Sequence, residues 1–213
     1  MIIDGEGDEN MANGQERKEE VYAMQILLRH FPKGFSSELV CCDMPDLQDA
    51  KKNIGIEVVR SFHTNQGTAL GILGRYINRP VDKIPHNALS RMRELGFRPI
   101  IIDNVLKSMS SGFYTPTPLS LLEEIDKKIE KLQGPNYRIF RKNRLFVFVL
   151  NPVSCYSRNE IRQLVRAIKE HQKNAVSKFD IVYIYDSYNG IYDLWVCYPQ
   201  SETIRKYRGI SLP

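Results

Sequence analysis

From Arg144 onward the sequence switches cleanly between two periodicities, and this restricts the fold more than any other feature. Arg144 to Leu150 reads as a strand, Arg158 to Gln172 repeats its apolar residues at helical spacing, and Asp180 to Asp186 and Ile191 to Tyr198 read as two further strands. Between the last two lies Asn189-Gly190, a pair that accepts the left-handed backbone of a tight hairpin turn. Strands interleaved with helices bury both periodicities only in layers, so the expectation is an α/β or α+β domain: a mixed central sheet flanked by helices.

Upstream, Val21, Met24, Leu27, Leu28 and Phe31 mark one face of a helix from Glu16 to Phe31, which Pro32-Lys33-Gly34 ends. Ser37 to Asp43 and Asn53 to Phe62 read as strands joined by a polar turn, Pro45 to Lys52. Helical patterns over Thr64 to Ile77 and His86 to Leu95 form an insertion around residues 64–96, followed by a strand from Phe97 to Asp103. Ser108 to Pro118, with its prolines, glycine and hydroxyls, reads as a loop leading to a helix over Leu119 to Leu132. Residues 1–14 are polar and acidic and are expected to be a disordered tail, leaving residues 15–213 as one domain.

A chain of 213 residues with 42% apolar content can bury a substantial core. It has no apolar run of about 18 residues, and Met1-Ile2-Ile3 leads into acids rather than a signal-peptide pattern, so the expectation is a cytoplasmic protein without a membrane partner. Cys41, Cys42, Cys155 and Cys197 lack paired metal-ligand spacing and are expected to be reduced and mostly buried. The net charge of +5 hides an asymmetry, because residues 1–13 carry four acids and no base; the rest holds 30 basic against 21 acidic residues, or +9. A basic body suits a polyanionic partner, although it also serves solubility alone.

The most informative stretch for chemistry is Met44-Pro45-Asp46, followed by Ile54-Gly55-Ile56-Glu57-Val58-Val59. A turn supplies Asp46 and the middle of the neighbouring strand supplies Glu57, so the two carboxylates can meet at one sheet edge. Mg²⁺ takes hard oxygen ligands and is commonly held by one or two carboxylates plus water and substrate phosphate. Glu57 among Ile54, Ile56 and Val58 is costly to bury unpaired, which calls for positive charge beside it. Each acid also has a plainer reading: Asp46 as a turn residue and Glu57 as half of an ion pair.

Pro45-Asp46 with Gly55-Ile56-Glu57-Val58 resembles the motif core of the PD-(D/E)XK, or restriction-endonuclease-like, superfamily, in particular bacterial members with a "PD … GIEV" signature. The order of elements from about residue 16 to residue 198 is similar in outline. The resemblance implies a nuclease that hydrolyses phosphodiesters of nucleic acid, in the first place DNA, with Mg²⁺ (or Mn²⁺) as cofactor and a homodimer as one possible assembly. It makes Asp46 and Glu57 metal ligands and Glu20, on the first helix, an accessory acid that shares the buried face four residues before Met24, whereas Glu19 is expected to point elsewhere. The motif lysine is missing, since Val59 occupies its place. Some relatives supply that lysine from a following helix, and Lys128, flanking the apolar stripe between Ile125 and Leu132, is the best substitute, with Lys131 second. If no lysine reaches the site, the resemblance implies instead an inactive nuclease fold serving as a nucleic-acid-binding or protein-interaction module.

Other signals are weaker. Arg138, Arg141, Lys142 and Arg144, with Tyr137 and Phe140 interleaved, are candidates for tracking a nucleic-acid backbone and stacking on bases; Arg91, Arg93 and Arg98 are a second basic group. Gly67, Gly71 and Gly74 lack the Lys-Ser/Thr of a phosphate loop. His63 closes the Glu57 strand, and Trp195 reads as core.

Overall fold

The computed structural model describes residues 9–61, 64–111, 117–137, 139–151, 154–188 and 190–210. Its elements are α1 (Glu9–His30), β1 (Val40–Cys41), β2 (Leu47–Asp49), β3 (Ile54–Ser61), α2 (Thr64–Tyr76), α3 (His86–Glu94), β4 (Phe97–Ile102), β5 (Val105–Ser111), α4 (Leu122–Lys131), β6 (Lys142–Leu150), α5 (Arg158–His171), β7 (Phe179–Tyr188), β8 (Ile191–Tyr198) and β9 (Thr203–Arg208). Seven strands form one mixed sheet in the order β1-β2-β3-β6-β7-β8-β9, while β4 and β5 pair separately. In the large sheet β3, β6 and β7 run parallel and the strands at both ends run antiparallel. The expected mixed α/β layering is therefore present.

Alternation along the strands sends side chains to two cores. On one face Ala23, Ile26 and Leu27 of α1 pack on Ile54, Ile56, Phe146 and Tyr183. On the other, Ile125 and Ile129 of α4 and Ile161, Leu164, Val165 and Ile168 of α5 pack on Leu145, Val147, Val182, Ile184 and Trp195. A capping box starts α5: the Ser157 hydroxyl accepts from Glu160 N–H while the Glu160 carboxylate accepts from Ser157 N–H. The odd-numbered residues of β3 face the second core, so Glu57 and Val59 point toward α4.

Several boundaries differ from the sequence reading. The expected turn from Pro45 to Lys52 contains β2, and the expected loop from Ser108 overlaps β5, which begins at Val105 and pairs with β4 around Asp103 and Asn104, both at positive φ. Strand β9 was not anticipated. Helix α1 begins at Glu9, ahead of the expected Glu16, and Val21 is exposed while Ala23 and Ile26 are buried. Of the expected tail, residues 1–8 lie outside the described residues, as do His63, Arg138 and Asn189. Of the cysteines only Cys197 is buried; Cys41 is exposed and the other two are half-buried. Among the described residues no helix is long and apolar enough to cross a membrane.

Candidate active site: a carboxylate pair under two lysines

The site forms where β2, β3 and α4 meet. Leu47 of β2 pairs with Ile56 of β3, so the next position outward brings Asp46 beside Glu57. Gly55 makes this approach possible. A Cβ there would lie 2.7 Å from Pro45 Cγ and 3.0 Å from Phe140 Cδ2, so any side chain would push the Pro45-Asp46 turn off the sheet. The turn is fixed on its other side by the Asp46 carboxylate, whose Oδ2 accepts the Val58 N–H at 2.6 Å.

Glu57 is 1% exposed, and both of its oxygens are engaged. Tyr137 donates its hydroxyl to Oε1 at 2.5 Å, while Lys128 and Lys131 approach Oε2 at 2.6 and 3.1 Å. The Lys128 ammonium also stands 3.9 Å from Asp46 Oδ2, which places it between the two carboxylates. Lys128 and Lys131 are three residues apart and share the face of α4 turned to β3. Above them opens a cleft of about 520 Å³ whose walls include Glu19, Glu20, Asp43, Asp46, Lys128 and Lys131.

Charge is unevenly compensated here. For Glu57, burial works against ionisation, but the Lys128 ammonium and its hydrogen bond, Tyr137 and Lys131 outweigh it and hold the carboxyl below the usual range. For Asp46, burial first and the Glu57 charge second outweigh the Val58 N–H and the lysines, so its carboxyl is pushed up. A half-buried carboxylate still short of positive charge, one residue-width from another, is a donor set suited to a hard divalent cation. Among the described residues no three His, Cys, Asp or Glu side chains gather to hold a metal ion, so such a cation would rest on this pair, with water or substrate oxygens completing its shell. The pair would fit that arrangement once the Lys128 and Lys131 ammoniums, which now sit on Glu57 Oε2, withdraw from it.

No family model, curated protein or solved structure matches this chain. What the site can do therefore follows from its own geometry.

Of the residues singled out from sequence, Asp46, Glu57 and Lys128 come together, with Lys131 beside them. Glu20 lines the same cleft, and its charge raises the Cys41 thiol after burial does. Glu19, expected to point elsewhere, also lines the cleft and is ion-paired with Arg60. The basic group after α4 divides. Arg141 and Lys142 are exposed, but Arg144 is buried, bonded to the Tyr183 hydroxyl at 3.0 Å and lying 5.0 Å from the Phe35 ring centre, which removes it from any backbone-tracking surface. Tyr137 and Phe140 are likewise buried and cannot stack on bases: one holds Glu57 and the other packs at Gly55. Tyr137 is the residue whose place in the site sequence reasoning missed, since its pattern suggested a base-stacking aromatic. Its one local signal was position, just beyond the helix that carries the lysines.

Proposed function

We propose that the protein is a Mg²⁺- or Mn²⁺-dependent phosphodiester hydrolase acting on nucleic acid, DNA in the first place, with a restriction-endonuclease-like domain. The observation that carries this reading is the Lys128 ammonium between Asp46 and Glu57 at the floor of a cleft. In it Asp46 and Glu57 would hold the cation, and Tyr137 fixes the rotamer of Glu57 through Oε1. A cation held by this pair would supply Lewis-acid charge at the scissile phosphate. Lys128, displaced slightly toward the cleft, orients the attacking water and offsets charge that develops on the phosphate oxygens, while Lys131 holds a neighbouring phosphate. The motif position at Val59 is then served from α4, across the strand. The test is supercoiled-plasmid nicking with Mg²⁺ or Mn²⁺ against a chelator control. The wild type nicks, and Asp46→Ala and Glu57→Ala abolish nicking while keeping a cooperative unfolding transition; equal activity in the double variant overturns the proposal.

A second reading, a non-catalytic binding module on the same fold, is favoured by one observation: Glu57 already spends both oxygens on Tyr137, Lys128 and Lys131. Such a protein shifts DNA in a salt-dependent way and leaves it uncut with every divalent ion.

A further inference from the structure

Residues 64–111 build a unit with a core of its own. Ile84, Leu89, Met92 and Leu106 pack with Ile72, Leu73 and Tyr76, and Ala69, Leu95 and Phe97 form a smaller cluster beside them. The chain runs helix α2, a single 3₁₀ turn at Val81–Lys83, helix α3, then the β4–β5 hairpin. The segment after α2 joins the hairpin as a third strand-like edge: Pro80 bridges Val105, Asn78 N–H donates to Leu106 C=O, and Leu106 N–H donates to Arg79 C=O. The hairpin is thus tied to the helices and presents a fixed surface with α3.

That surface is cationic. From α3 through the hairpin, residues 86–111 carry four Lys and Arg against two Asp and Glu, a net +2. Helix α3 buries Leu89 and Met92 and leaves His86, Asn87, Arg91, Arg93 and Glu94 exposed, with the Arg91 guanidinium paired to Glu94 at 3.0 Å until a phosphate or base edge competes for it. Asn87 and Arg91 stand one turn apart on the outward line. Arg98 of β4 and Lys107 of β5 are exposed on the hairpin, and Ile100, Ile101 and Ile102 near its tip are 38%, 41% and 53% exposed.

We infer that α3 and the β4–β5 hairpin form a docking surface for duplex DNA, separate from the carboxylate cleft. An exposed helix of this width enters a major groove, where Arg and Asn are the side chains that pair bidentately with guanine and adenine edges. The hairpin lies against the adjoining backbone, with Arg98 and Lys107 at phosphates and the isoleucines at the minor-groove edge, where apolar side chains wedge between base steps. This deepens the nuclease reading by naming its substrate as duplex rather than single strand, yet binding here does not require cleavage.

The experiment measures binding of the full chain, in chelator, to a fluorescein-labelled 30-base-pair duplex and to one of its single strands over a salt series. The variants are Asn87→Ala with Arg91→Ala, and Arg98→Ala with Lys107→Ala; unfolding temperature reports on folding and light scattering on mass. The expected result is a duplex preference by the wild type, a loss of at least about tenfold in duplex affinity in each double variant at unchanged unfolding temperature, and a salt slope shallower by roughly 0.9 for each phosphate contact removed. Unchanged duplex affinity in both folded variants overturns the inference. So does a single-strand preference, or a dimer that Ile101→Ser dissociates, which assigns the isoleucines to a second copy of the chain. If both pairs instead lower the unfolding temperature, Arg91→Gln and Lys107→Gln, which keep length and polarity, replace them under the same criteria. The outcomes separate from those of the cleft: duplex binding that needs Arg91 without any nicking sustains the surface and sinks the nuclease, whereas nicking that is indifferent to Arg91 and Lys107 does the reverse.

Discussion

The ammonium of Lys128 lies 2.6 Å from one oxygen of Glu57, joining residues 71 apart in sequence across the gap between α4 and β3. Lys131 reaches the same oxygen from 3.1 Å but is 39% exposed, against 19% for Lys128, and only Lys128 also approaches Asp46. On the nuclease reading the two lysines are therefore unequal. Lys128→Met is expected to lower plasmid nicking by about 100-fold or more, the loss typical of removing one charge-stabilising donor, and Lys131→Met by far less. Initial rates at saturating Mn²⁺ check this; equal losses would assign both lysines to substrate binding.

Asp46 pays for its position. Its carboxyl is pushed above 3.8 by burial and by Glu57, so it ionises more readily unfolded than folded, and stability falls as pH rises from 3.8 through the folded value. Asp46→Asn keeps an oxygen for the Val58 N–H and removes that penalty. The variant is expected to melt above the wild type at pH 7, with the gap closing below pH 3.8. Mg²⁺ should reverse the order: at a hundred times its dissociation constant a bound ion adds about 2.7 kcal/mol to the wild type, and the variant gains little. Thermal melts with and without Mg²⁺ at both pH values decide it.

Much of this arrangement was legible in the chain and part of it was not, for physical reasons. Helices α4 and α5 and strands β6 to β8 show up because each buries a regular stripe, and periodicity records burial directly. Glu57 stands out because a charge inside an apolar strand demands a positive partner; that the partner is Lys128 came from the family resemblance, which called for a lysine from a following helix. Strands β2 and β5 escaped: β2 is three residues long, and β5 alternates small hydroxyls with apolar residues that also suit a loop. Tyr137 and Arg144 escaped for another reason. Aromatic and cationic residues interleaved on paper look like a nucleic-acid surface, and only tertiary packing reveals that Tyr137 is spent on Glu57 and Arg144 on Tyr183.

Tyr137→Phe isolates the other end of Glu57. The phenol donates to a carboxylate oxygen in the interior, and both burial and Glu57 push its own ionisation far above ordinary values, so it is a donor at every working pH. Removing the hydroxyl leaves Oε1 of a 1% exposed carboxylate without this donor, at a cost of about 1.5–3 kcal/mol. Urea unfolding of wild type and variant measures the difference. Because Glu57 is held below 4.5 in the folded state, its contribution to stability is present above 4.5 and is lost as pH falls through the folded value, so the difference should shrink in acid.

A second buried acid gives the opposite slope in a different window. Asp186 of β7 is fully buried, accepts from the Asn151 amide and the Tyr156 N–H, and lies opposite Asp193 of β8. Burial, with Asp193 adding to it, pushes its carboxyl up to about 6. The folded state then holds a proton that the unfolded chain has released, so stability declines as pH rises from 3.8 through about 6. Asp186→Asn is expected to flatten that segment of the stability profile without touching the acid limb set by Glu57. Unfolding midpoints at half-unit pH steps provide the measurement, and an unchanged slope in the variant places the titration elsewhere.

Gly55→Ala tests whether the carboxylate pair depends on backbone approach rather than on the acids alone. The added methyl meets the Pro45 ring at 2.7 Å and the Phe140 ring at 3.0 Å, and neither is the free end of a flexible chain. Overpacking of this kind costs about 1–3 kcal/mol, and the strain is relieved most directly by lifting the Pro45-Asp46 turn from β3. Asp46 would then lose both the Val58 N–H and its place beside Glu57, with every ligand residue still present. The variant should therefore melt lower than wild type and lose the Mg²⁺-induced rise in melting temperature, whereas Gly71→Ala, in α2 with nothing within 4 Å of the new Cβ, should retain that rise in full. A retained rise in Gly55→Ala would mean that the cation is held without Asp46 at this register, because the methyl and the proline ring cannot share the space that now brings the two carboxylates together.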